Sequence, residues 1–144
     1  MQYIFRMLPY LAVALLVLPA SYGDDKKPQE MVKKLQGKWT VTRGKQRWVK
    51  EYKGNKENFS VYDGDTVVYG HAHDVKFELQ GAVQICTTSN NEVTIGPRKG
   101  AKLNGFSFII KLDGDSLFEA VGMLEKDNPG GLKPEVIVWK RVIE

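Results

Sequence analysis

From Gly37 onward, apolar and polar residues alternate with period two, which commits the chain to strands buried on one face only. Val75, Phe77 and Leu79 alternate with Lys76, Glu78 and Gln80. Phe106, Phe108, Ile110 and Leu112 do the same against Ser107 and Lys111, with Ile109 breaking the polar side. Shorter runs of this kind occupy Trp39–Thr42, Arg47–Tyr52, Phe59–Tyr62, Thr66–Tyr69, Val83–Thr87, Glu92–Ile95, Ser116–Val121 and Val136–Val142. Gly, Asn, Asp and Pro separate them. Short strands at roughly ten-residue spacing with turn residues between them predict an all-β sandwich or barrel.

Two turns carry a particular signature. Asp63-Gly64-Asp65 and Asp113-Gly114-Asp115 each lie between strand-forming runs, and Asp-Gly is a strong short-range hairpin signal. The two segments match at an offset of 50 residues but diverge within a few positions, so they read as one hairpin solution used twice. A calcium loop needs further oxygen donors at defined spacing, which neither segment supplies.

Before the strands, Pro28 suits the first turn of a short helix expected over Gln29–Gln36. Glu30 falls near its positive end, Lys33 and Lys34 near its negative end, and Gly37 just beyond it. Met31, Val32 and Leu35 give it one apolar side. About two turns cannot stand alone, so this helix must dock.

The chain start indicates the compartment. Arg6 precedes an apolar run, Met7–Leu18, and Ser21 and Gly23 supply small residues for cleavage. That pattern predicts a signal peptide over residues 1–23 and an exported domain over 24–144. The apolar run is shorter than the ~20 residues of a membrane anchor and holds Pro9, so no stable membrane anchor is expected after cleavage. The remainder has 20 Lys+Arg against 17 Asp+Glu, a net charge of +3 that is too small to imply nucleic acid. Cys86 is the only cysteine, so the domain has no intramolecular disulfide. The thiol is expected as a small buried apolar side chain.

The segments LQGKW (35–39), YDGDTVV (62–68), KLDGDSLFEA (111–120) and VIVWKRV (136–142) together resemble a known group. They are similar to the small, exported lipocalin-like domain family of planctomycete bacteria, over roughly residues 30 to 143. The resemblance implies a small lipocalin-like antiparallel barrel of about eight short strands preceded by a short N-terminal helix. It also implies that Trp39 packs against Arg141, a structural cation–π contact at the barrel bottom, of about 0.5–2 kcal/mol. The chain departs from larger lipocalins in being short for a roomy calyx and in lacking a disulfide.

Residues with potential chemistry are few. His71 and His73 share a face if they lie on a strand, but two imidazoles are half a zinc site and no third ligand has a recognisable spacing. Gly70 points instead to a turn there. Arg43, Lys45, Arg47, Lys50, Lys53 and Lys56 form a basic stretch with Trp48 and Tyr52. This reads either as a surface for an anionic glycan or a membrane surface or, more simply, as Trp48, Lys50 and Tyr52 on one strand face with the other charges solvated. Asn58-Phe59-Ser60 fits a glycosylation sequon, which matters only in a eukaryotic secretory pathway. Neither a nucleophile–base set nor a phosphate-cradling glycine loop is visible, so no catalytic residue, metal or cofactor is expected.

Two functions follow as expectations. One is an exported, non-enzymatic binding module for a small apolar ligand, with Phe77, Ile85, Phe106, Phe108 and Ile110, and also Val83, lining the barrel. The alternative is a solid-cored cell-envelope domain that binds protein or anionic glycan through its surface.

Overall fold

The computed structural model describes residues 26–124 and 133–143. The expected signal peptide, residues 1–23, lies outside the described residues. The described chain forms one helix, α1 (Lys26–Leu35), then β1 (Gly37–Arg43), β2 (Gln46–Lys53), β3 (Lys56–Asp63), β4 (Thr66–Gln80) and β5 (Val83–Ile95). The two-residue β6 (Lys102–Leu103), β7 (Ser107–Asp113), β8 (Ser116–Val121) and β9 (Glu135–Arg141) complete it.

Strands β1 to β5 pair in sequence, β5 pairs with β7, and β7, β8 and β9 return to β1, all antiparallel. The result is a closed eight-stranded antiparallel barrel preceded by a short helix. Closure removes the free sheet edges that would otherwise invite pairing with other chains. The two-residue β6 pairs with Asn91 and Glu92 of β5, along the same edge of β5 that β7 pairs at 84–87.

Two pairs of expected strands are fused. Thr66–Tyr69 and Val75–Leu79 belong to the single strand β4, and Val83–Thr87 and Glu92–Ile95 to β5. Gly70 is therefore not a turn. It is buried in mid-strand, where a Cβ would meet Phe59 O at 3.2 Å and Thr94 Oγ1 at 3.1 Å, so glycine here permits close approach of neighbouring strands. A register shift beside Gly70, and another around Asn90 (φ 53°), lets the long β4–β5 hairpin bend into the barrel.

Both expected Asp-Gly hairpins are present, shifted by one residue. Asp63 pairs with Thr66 and Asp113 with Ser116, so the two loop residues are Gly-Asp. Gly64 and Gly114 sit first in the loop with φ of 58° and 56°, the position that a type II′ turn reserves for glycine.

Helix α1 begins three residues before its expected start. Pro28 is tolerated because the first-turn amides have no intrahelical partner. Met31 and Leu35, one turn apart on one helical face, are buried against Trp39, Tyr52, Val75, Phe77, Leu117 and Trp139. The helix thus covers the end of the barrel where β1 starts and β9 finishes. Among the described residues no helix is long and apolar enough to cross a membrane.

Candidate functional site

The register fixes which side chains enter the barrel, because directly opposed residues share a face. Trp39 faces Lys50, Lys50 faces Phe59, Tyr52 faces Glu57, and Glu57 faces His73. On the other wall Ile110 faces Glu119, and Leu117 faces Trp139. Lys50, Glu57, His73 and Glu119 therefore project inward with the aromatics, and none is more than 4% exposed.

These four make a buried ionic cluster. Lys50 Nζ donates to Glu119 Oε1 at 2.6 Å and lies 3.2 Å from Glu57 Oε1. Glu119 also accepts from Trp139 Nε1 at 2.8 Å and from Tyr52 Oη at 3.4 Å. The ammonium lies 4.4 Å from the centroid of the Trp139 ring, a cation–π contact that helps replace its lost hydration. Burial disfavours the Lys50 ammonium, but the two carboxylates outweigh it and hold its pKa above the usual lysine range. Burial works to raise Glu57, yet Lys50 and His73 hold it below the usual carboxylate range. Burial pushes Glu119 up, with Glu57 adding to the effect and Lys50 opposing it. Two carboxylates thus share one lysine.

Satisfaction within the cluster is uneven. Both oxygens of Glu119 are hydrogen-bonded, but Glu57 Oε2 has no hydrogen-bond partner, with His73 Nε2 at 3.6 Å. Neither ring nitrogen of His73 has a partner, nor does His71 Nδ1. Buried polar atoms are normally paired, and leaving one unpaired costs about 1–3 kcal/mol.

Away from α1 the lining becomes aromatic and only half-buried. Trp48, Phe59, Tyr69, His71 and Phe106 retain partial exposure. Phe59 stacks on His71 at 4.8 Å between ring centroids, and His71 on His73 at 5.2 Å. Trp48 and Tyr69 meet Phe59 edge-on at 5.5 and 6.4 Å. Burial, reinforced by His73, pushes the His71 imidazole down to about 4, so it is neutral near pH 7. Phe106 is held by its backbone: its N–H donates to Thr88 Oγ1 at 3.1 Å, and its carbonyl accepts from Thr88 N at 2.9 Å. Asn91 Nδ2 secures the same turn through Asn104 O at 2.8 Å.

Of the residues expected to line the barrel, Phe77, Phe108 and Ile110 face inward and are buried, and Phe106 joins the aromatic end. Ile85 does not line the interior. It pairs with Glu78 and Ile109, while Cys86, paired with Phe77 and Phe108, takes the inward position. Val83 shares the outer phase of Ile85 and is 41% exposed. Ile85, Ile109, Ala120 and Val136 are consecutive cross-strand partners in the outward phase. Along this row Ile85 is buried at 7% exposure, Ile109 and Ala120 are half-buried and Val136 is 55% exposed.

Trp39 and Arg141 are directly paired, with the Arg141 guanidinium carbon 4.1 Å from the Trp39 ring centroid. Arg141 also donates to the carbonyls of Lys34 and Gln36 at 2.7 and 2.9 Å, and so ties the end of α1 to the barrel.

The basic stretch does not act as a unit. Lys50 is inside the barrel, Arg43 pairs with Glu135, Arg47 lies over Tyr62, and Lys53 and Lys56 pair with Glu51 and Asp74. His71 and His73 share an inward face on β4, and among the described residues no group of three or more His, Cys, Asp or Glu side chains is placed to hold a metal ion. Cys86 is fully buried, and burial, with Glu57 and Glu119, pushes its thiol far above the usual range.

Sequence reasoning missed Glu57 and Glu119 and offered Lys50 only as part of a basic run. The signal was their phase: each is spaced two residues from apolar inward neighbours, as in Trp48-x-Lys50-x-Tyr52 and Leu117-x-Glu119-x-Val121. Comparison with known proteins yields no match to a family model, to a curated protein or to a solved structure.

Proposed function

We propose that this protein is an exported, non-enzymatic binding module, a lipocalin-like barrel of the small planctomycete type. It takes a small, largely apolar ligand at the end away from α1. One observation carries the reading: inward-facing Trp48, Phe59, Tyr69 and Phe106 keep partly exposed rings at that end, whereas Leu35, Trp39 and Leu117 at the helix end are fully buried. Aromatic rings left half-wet inside a barrel offer apolar area to a ligand at about 25 cal/mol per Å² buried. The export part rests on the charged, apolar and small-residue pattern of residues 1–23. A non-enzymatic role is supported by the state of the possible nucleophiles, since burial raises both Cys86 and Tyr52 out of reach of ionisation.

The neutral dye N-phenyl-1-naphthylamine tests the binding reading. Its emission is expected to rise with the native protein and to fall on adding octanol. A folded protein that leaves the dye dark would overturn it. Native mass spectrometry of protein from the exported fraction adds two readouts, a chain beginning at Asp24 and a retained small molecule.

The outward row of half-buried Ile109 and Ala120 and exposed Val136 favours a second reading, an envelope domain that docks a protein through its surface. Dye binding abolished by Phe59→Ala but not by Val136→Asp would decide for the interior.

A further inference from the structure

We infer that the ligand is a protonated organic amine, its ammonium head received by Glu57 and the His71–His73 pair and its apolar body by Trp48, Phe59, Tyr69 and Phe106. This rests on the binding reading above and specifies its chemistry. The first argument is charge. Glu57 and Glu119 are both buried beside Lys50, which lies within hydrogen-bond reach of both. The other basic group against Glu57, His73 Nε2, stands 3.6 Å from Oε2, so two carboxylates share one closely bound cation. Uncompensated charge in a low-dielectric interior is costly, and a cation entering from the barrel end relieves it.

The second argument is which atoms lack partners. Lys50 is committed to both carboxylates, and Glu119 is bonded through both oxygens. Within the cluster the unpartnered acceptor is Glu57 Oε2, in a side chain only 2% exposed, and the neighbouring unpartnered atoms are imidazole nitrogens; elsewhere Asn91 Oδ1 is also unpartnered. A neutral imidazole always has one acceptor nitrogen. A head group with several N–H donors and a positive charge suits these positions, because charge-assisted hydrogen bonds are about twice as strong as neutral ones. A carboxylate head would meet Glu57 with like charge. An alcohol would satisfy one acceptor and leave the charge unbalanced.

The third argument is the approach. Tyr69, His71 and His73 step inward along one face of β4, at about 7 Å per two residues. Phe59, stacked on His71 and flanked edge-on by Trp48 and Tyr69, presents π faces along that path. Aromatic faces attract cations as well as apolar groups, so the same path accepts both halves of an alkylammonium.

A matched eight-carbon series tests this: octylamine, octanol and octanoate, titrated by calorimetry at pH 7.5 into the full protein as purified. Octylamine is expected to bind at least tenfold more tightly than octanol, and octanoate more weakly than either. In Glu57→Gln the amine-to-alcohol ratio should fall below threefold. If octanol binds as well as octylamine, the amine inference fails and the apolar binding reading stands. If none of the three binds, both fail. Should Glu57→Gln not fold, the wild-type series still decides. His73→Gln provides a second variant, in which an undiminished amine preference would count against the imidazoles as acceptors.

Discussion

The two ends of the barrel use similar residues to opposite effect. At the α1 end, Leu35, Trp39 and Leu117 are fully buried, the Trp39 indole donates to Leu35 O at 2.8 Å, and Arg141 spans the helix terminus and the Trp39 ring. At the far end, Trp48, Phe59, Tyr69 and Phe106 point the same way into the barrel but stay half-buried. The polar groups do not divide as cleanly: the unpartnered His71 Nδ1 is level with Phe59, but Glu57 Oε2 and both His73 nitrogens are level with Tyr52 and Gly37, one step nearer α1. Packing and satisfied hydrogen bonds mark the part of a barrel that holds the fold together. Half-wet rings, with orphaned acceptors deeper beneath them, mark the part with affinity left over for a ligand.

The ionic cluster lies between these ends and gives the largest test of the comparison. Lys50→Met strands two buried carboxylates and is expected to cost about 3–5 kcal/mol in urea unfolding. Adding Glu57→Gln and Glu119→Gln to Lys50→Met should recover most of that loss, because the triple variant buries no charge. A loss below about 1 kcal/mol for Lys50→Met alone would mean that water reaches the cluster, and the open end would then extend down to Lys50.

Next in size is a direct comparison of the ends. Leu35→Ala should cost about 2–5 kcal/mol, as expected for a fully buried side chain whose cavity cannot collapse. Tyr69→Ala, at the half-buried end, should cost clearly less and lower the affinity for N-phenyl-1-naphthylamine. Equal destabilisation at the two sites would make both ends ordinary core and remove the distinction.

Acid should weaken the aromatic end selectively. The His71 imidazole is held at about 4 in the folded protein, below the ~6.5 of an unfolded histidine. The unfolded state therefore binds the extra proton first as pH falls. The stability that this group contributes is complete above pH ~6.5 and is lost progressively down to about 4. The expected loss is about 2–3 kcal/mol, allowing for the ring's partial exposure. In His71→Gln that component should vanish from a plot of unfolding free energy against pH. An unchanged acid limb would place the proton uptake elsewhere.

Much of this architecture was legible in the sequence. Period-two runs gave the strands, Asp-Gly located two hairpins to within one residue, and the phase of Phe106, Phe108 and Ile110 matched their inward positions. The cluster was not legible, because its members come from separate strands: Lys50 and Glu119 stand 69 residues apart. Taken singly, each charge is cheapest in solvent, and only barrel closure brings them within bonding distance. Val83-Gln84-Ile85-Cys86-Thr87 misled for another reason. Apolar residues occupy both phases of that run, and the choice fell to the register with Phe77 and Phe108, which turns Cys86 inward and Ile85 outward. Gly70 was ambiguous in the same way, since glycine serves a turn and a close backbone approach equally well.

The smallest expected effect concerns a motif that both ends share, an arginine over a tryptophan. Arg141 lies 4.1 Å from the Trp39 ring centroid and Arg43 lies 4.8 Å from that of Trp48. Arg141 also donates to two carbonyls at the end of α1, so Arg141→Met removes a cation–π contact and a helix-terminus interaction together. Arg43 instead forms a bidentate pair with Glu135 at 2.5 and 3.0 Å, in which both side chains are more than a third exposed. Such pairs contribute about 0–1 kcal/mol. Arg141→Met should therefore cost about 1–2 kcal/mol, and Arg43→Met less than half as much. If Arg43→Met proves the more costly, the aromatic end is held as firmly as the helix end, and the case for it as a ligand entrance weakens accordingly.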